Sequence, residues 1–106
     1  MEHFADIDER STFASDKMKK NNLFTTSQMF CDVYCFEPGQ TQTGHSHTGS
    51  DKVYYVIDGQ ARIRIGDEER TVAAGSAALA PAGLMHGVTN PGPQRLRLLV
   101  LMAPPP

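Results

Sequence analysis

The chain has 106 residues and a formal charge of −2 at pH 7, with 10 Lys and Arg set among 12 Asp and Glu. A chain of this length fits one domain that buries somewhat under roughly 70% of its unfolded surface. The scattered charge leaves no electrostatic footprint for nucleic acid. The longest apolar run, residues 98–103, falls far short of the roughly 20 residues of a membrane-spanning helix.

Residues 1–22, MEHFADIDERSTFASDKMKKNN, mix acids, bases and amides without an apolar core segment. They read as a polar leader with no secretory signal, and a soluble cytoplasmic protein is expected. Residues 6–20 contain good helix formers but no apolar stripe, which allows one turn of helix and no more. From residue 29 the apolar period is two. Met29, Cys31, Val33 and Cys35 alternate with Phe30, Asp32, Tyr34 and Phe36 as far as Pro38-Gly39. Cys31 and Cys35 then share one strand face roughly 13 Å apart. A disulfide tolerates only about 7 Å between Cα atoms. The pair therefore reads as small buried hydrophobes, which fits a reducing compartment.

Residues 53–57 form a second strand, closed by the hairpin signal Asp58-Gly59. Ala61, Ile63 and Ile65 alternate with Arg62 and Arg64, so the arginines face outward. Gly66-Asp67 turns the chain into a short strand at residues 70–72, and residues 77–80 form another that stops at Pro81-Ala82-Gly83. Residues 86–89 and 95–102 supply the last strands, separated by Asn90-Pro91-Gly92-Pro93, whose prolines interrupt any ladder. Residues 103–106 read as a frayed, proline-rich end. Eight or so short strands with regular turns point to an all-β sandwich or barrel, and a small barrel can hold one ligand inside.

The chemistry lies in the histidines. On a strand, His45 and His47 project to one face under roughly 7 Å apart. Two imidazoles at that span can converge on one ion. His86 enters a later strand just after Pro81-Ala82-Gly83, whereas His3 sits in the polar leader as a solvated side chain.

Gly39, five residues, His45-Ser46-His47, and then Gly75, five residues, Pro81-Ala82-Gly83, two residues, His86, three residues, Asn90, together resemble the two signature motifs of the cupin family. The resemblance covers residues 29–102. It implies a small conical antiparallel β-barrel, the double-stranded β-helix or jelly roll, with His45, His47 and His86 as ligands of a metal inside. It also implies a homodimer in which outer strands of two barrels pair or pack. The family usually places a glutamate ligand seven residues before the glycine that corresponds to Gly59, and here that position is Lys52. Alternation back from Tyr54 turns Lys52 inward and Asp51 outward, so Lys52 takes the position and Asp51 is the lesser claimant.

A protonated lysine cannot coordinate a cation. Three readings stay open. The three histidines hold Fe, Ni, Cu, Mn or Zn without a carboxylate; or Lys52 is a cation that binds a carboxylate or phosphate of the ligand; or Lys52 snorkels to the barrel mouth and pairs with Asp51 or Asp58. Tyr54, turned inward, offers a phenol as acid or hydrogen-bond donor. Thr41 and Thr43 are expected inward and Gln40 and Gln42 outward, unless a bulge at Gly44 reverses the phase; Phe36 and Met85 are further candidates to line the cavity. The leading expectation is a metal-binding protein, dioxygenase-like if an enzyme, that takes a small organic ligand. Isomerase or decarboxylase chemistry is an alternative, and so is a non-enzymatic module that binds a sugar or organic acid.

Overall fold

In a computed structural model describing residues 2–106, the alternating segments become nine strands. They are β1 (Lys19–Thr25), β2 (Phe30–Phe36), β3 (Thr41–His45), β4 (Asp51–Asp58), β5 (Gln60–Ile65), β6 (Glu68–Ala73), β7 (Ala77–Ala80), β8 (His86–Thr89) and β9 (Leu96–Ala103). One helical turn, α1 (Ile7–Arg10), precedes them. The strands form two antiparallel sheets, ordered β1-β2-β9-β4-β7 and β3-β8-β5-β6. The hydrogen-bonded ladders do not close on each other, so the all-β architecture is a jelly-roll sandwich rather than a continuous barrel. Among the described residues no helix is long and apolar enough to cross a membrane.

Period two fixes what lies between the sheets. Tyr34 and Phe36 of β2, Tyr54 and Val56 of β4, and Leu96, Leu98 and Val100 of β9 meet Ala61, Ile63 and Val88 of the opposite sheet. Burying each large apolar side chain contributes about 1.5–3 kcal/mol relative to exposure. The outer face of β2 is buried too. Cys31, Val33 and Cys35 pack with Leu23 against Ala5, Ile7 and Phe13. Both cysteines are free, and burial raises both thiol pKa values, which leaves them as inert hydrophobes.

The N-terminal segment is therefore more than a solvated leader. Met1 lies outside the described residues, but residues 19–25 form edge strand β1, and the segment before it covers the outer face of the larger sheet. Asp6 caps α1 by accepting from Glu9 N at 3.1 Å. Arg97 of β9 then ties the turn down, donating to Asp8 at 2.8 Å while it holds Asp58 at 2.7 Å.

At the closed end, Asn90 is fully buried and its side chain donates to Phe36 O at 3.1 Å and Gln94 O at 2.9 Å while accepting from Gly92 N. The asparagine thus satisfies backbone groups that the two prolines leave without ladder partners.

Candidate functional site

The open end of the sandwich is built from matching rungs. Antiparallel register places Phe30, Met102 and Lys52 side by side in the larger sheet. In the smaller sheet His45 pairs with His86, which pairs in turn with Ile65. Between them lies a cavity of about 410 Å³, lined by His45, His47, Gln42 and Lys52 together with Asp32 and Tyr34.

The three histidines converge as expected, by a different local route. Only His45 is on β3; His47 lies in the loop beyond it, so the pair does not share a strand face. The ring centroids are 4.8 Å apart for His45 and His47 and 4.3 Å apart for His45 and His86. One ring nitrogen of each lies within 4.8 Å of the others. Gly87 permits this closeness. A Cβ there would sit 3.0 Å from Gln42 O and 3.1 Å from Gly44 N, so a side chain would push β3 away by a few tenths of an ångström where it pairs with β8.

The hydrogen bonds prepare the nitrogens. His45 Nδ1 lies 2.8 Å from Thr43 O and His86 Nδ1 lies 3.0 Å from Leu84 O. A carbonyl only accepts, so both rings carry the proton on Nδ1 and present the lone pair of Nε2. His86 Nε2 is buried with no partner. Such an orphaned acceptor fits a metal ion, and a backbone carbonyl behind the ring is the usual support for a histidine ligand. Burial lowers the pKa of His47 and His86 and favours the neutral, ligating form; neighbouring positive charge acts in the same direction, and at His86 the bond to Leu84 O opposes it in part.

Lys52 faces inward as alternation requires. It is 2% exposed, with Nζ 5.1 Å from the ring centroids of both Tyr34 and Tyr54. Snorkelling to pair with Asp51 or Asp58 does not occur. Asp51 is exposed and accepts from Ala82 N at 2.9 Å, while Asp58 is held by Arg97. Burial, with Lys20 nearby, depresses the Lys52 pKa to about 8, which still leaves the ammonium as the main form at neutral pH.

The expectation for β3 is corrected. A bulge between Gln42 and His45 shifts the phase, so Gln42 is buried toward the cavity while Thr41 and Thr43 are exposed. Gln42 Oε1 accepts from the Tyr54 hydroxyl at 2.9 Å, and its Nε2 is buried without a partner. Burial raises the pKa of Tyr54, which holds the phenol protonated as a donor. Gln40 instead bonds Ala14 O, Phe36 belongs to the core, and Met85 is exposed. The sequence reading missed Lys20, Phe30, Asp32, Tyr34, Met102 and Pro106 as cavity residues; the period-two pattern of β2 was the signal that could have found Phe30, Asp32 and Tyr34.

The cupin domain family model matches residues 32–102. The chain belongs to the cupin family. This cupin is 36% identical over 77 residues to an uncharacterized protein of Streptomyces coelicolor, an alignment covering 73% of this chain and 71% of the other. It is 31% identical over 67 residues to the tetracenomycin polyketide synthase protein TcmJ of Streptomyces glaucescens, covering 63% of this chain and 45% of that protein. Among solved structures, TT1209 of Thermus thermophilus matches with a TM-score of 0.96 and 42% identity, over 99% of this chain and 100% of that one.

Proposed function

We infer that this cupin binds a divalent transition metal through His45, His47 and His86 and uses it to oxidise a small organic ligand with dioxygen. The observation that carries the reading is the buried, partnerless Nε2 of His86, facing two further imidazoles at the wall of a cavity. A bound metal would supply Lewis acidity and open positions for ligand and oxygen. The chain's own residues do the rest. Thr43 O and Leu84 O orient two of the rings, Tyr54 orients Gln42 by donating to it, and Phe30 and Met102 give the cavity apolar wall.

The test is elemental analysis after incubation with Fe, Ni, Cu, Mn and Zn, followed by oxygen uptake with a panel of small organic acids and diols. One equivalent of metal and ligand-dependent oxygen uptake are expected. A protein that takes up none of the five ions would end this reading.

A homodimer belongs to the same proposal. Leu79 is 56% exposed, and Tyr55 and Leu101 are exposed beside it on the outer face of β7, β4 and β9, where Val53 registers with both Leu79 and Leu101. The patch continues the apolar outer face that the N-terminal segment covers over β2 and β9. The parent is expected to sediment as a dimer and Leu79→Glu as a folded monomer; a monomeric parent would refute the arrangement.

A further inference from the structure

The Lys52 side chain is 2% exposed and lines the cavity, where Asp32 is the acid that favours its charge; among the described residues its ammonium has no direct ion pair or hydrogen bond. Asp32 attracts Lys52 across the cavity without touching it, and each nearby acid has a closer partner. Asp32 accepts from Asn22 at 2.8 Å, Asp51 caps the Ala82 amide, and Asp58 serves Arg97. A charge drawn out of bulk water without a hydrogen-bonded partner destabilises a fold, and the two tyrosine rings and the more distant Asp32 offset only part of that cost.

Gln42 Nε2 is a second donor without a partner, and it is buried, while the amide oxygen of the same side chain accepts from Tyr54. Both residues line the one cavity, beside His45 and His47. The site thus presents two orphaned donors to its interior. Its lining carries the side chains of Lys20 and Lys52 against the single acidic side chain of Asp32, and has no arginine fork of the kind that suits phosphate. Phe30, Tyr34 and Met102 make the remaining wall largely apolar.

We propose that Lys52 Nζ and Gln42 Nε2 form a carboxylate-binding subsite, and that the ligand of this cavity is an organic monocarboxylate with an apolar body. This deepens the proposed function and rests on its reading of the cavity as the ligand site. It also accounts for two cationic centres in one cavity, because an anion beside Lys52 screens the ammonium from a metal held by the histidines. Lys52, in the position where the family places a metal ligand, acts here on the ligand instead.

The experiment uses protein stripped of metal on a chelating resin and verified metal-free by elemental analysis. Benzoate and hexanoate are titrated calorimetrically beside benzamide and hexanamide. The carboxylates are expected to bind at least about tenfold more tightly than their amides, and Lys52→Met and Gln42→Glu each to lower carboxylate affinity by about tenfold or more. Lys52→Met is also expected to melt no lower than the parent, since methionine fills similar volume without a buried charge. Equal binding of acid and amide, no detectable binding of either carboxylate, or parental affinity in Lys52→Met would each overturn the subsite. Because metal is absent throughout, a protein that never takes up metal leaves this result standing. A metal-binding protein indifferent to Lys52→Met keeps its three histidines and loses the subsite.

Discussion

Replacing His86 with alanine is expected to lower metal affinity by at least about 100-fold, since loss of even an outer-shell support of a metal-bound histidine costs 10–100-fold. His86 is the buried member of the triad, and its Nδ1 is committed to Leu84 O, so Nε2 has no other role in the fold. The readout is thermal as well as calorimetric. Metal at 100 times its Kd stabilises the parent by about 2.7 kcal/mol. For a domain of this size that is an upward shift in Tm of roughly 10–20 °C. His86→Ala should fold without metal, because the substitution also removes a buried unsatisfied acceptor, and should show no such shift. His3→Ala should bind metal as the parent does, since His3 is exposed in the N-terminal segment. Parental metal affinity in His86→Ala would remove the ring from the site.

The residues legible in the sequence are those whose position follows from one rule. Lys52 faces the cavity because it stands two before Tyr54 on a strand, and the structure buries both. His45 and His86 were marked by their spacing to turn glycines and prolines, and they meet across the β3–β8 ladder. Gln42 obeyed a second rule that overrides the first. The bulge at residues 43–44 inserts a phase change, so a polar side chain assigned to solvent ends buried in the cavity. The sequence contained the signal, Gly44 inside a strand, but not which way the bulge would turn its neighbours. Strand β1 was legible only at its start, where residues 17–20 read as a solvated strand edge, and the rest was hidden for another reason. KKNNLFT buries only Leu23 fully, so an edge strand that pairs on one side carries almost no hydrophobic pattern. Its contribution is made through backbone pairing with β2, and that placement brings Lys20 over the Tyr34 ring at 5.4 Å.

Gly59→Ala should be the most damaging single methyl in the chain, costing at least about 3 kcal/mol, from the left-handed backbone penalty together with a contact too close to relax. Gly59 has φ +84° in the hairpin between β4 and β5, and a Cβ there would lie 2.3 Å from Arg95 O and 3.0 Å from Leu96 Cα. Both neighbours are backbone, so no side chain can swing aside. The alternatives are to flatten the hairpin or to push away the start of β9, whose far end supplies Met102 to the cavity. Gly39→Ala separates the two contributions. It has nearly the same φ, +85°, but nothing within 4 Å of an added Cβ. It should cost only about 1–2 kcal/mol, the conformational penalty alone. Urea denaturation of the two variants measures the difference directly. If Gly59→Ala lost no more stability than Gly39→Ala, the close packing of the hairpin on β9 would be wrong, and the register that sets Lys52 opposite Met102 would need to be redrawn.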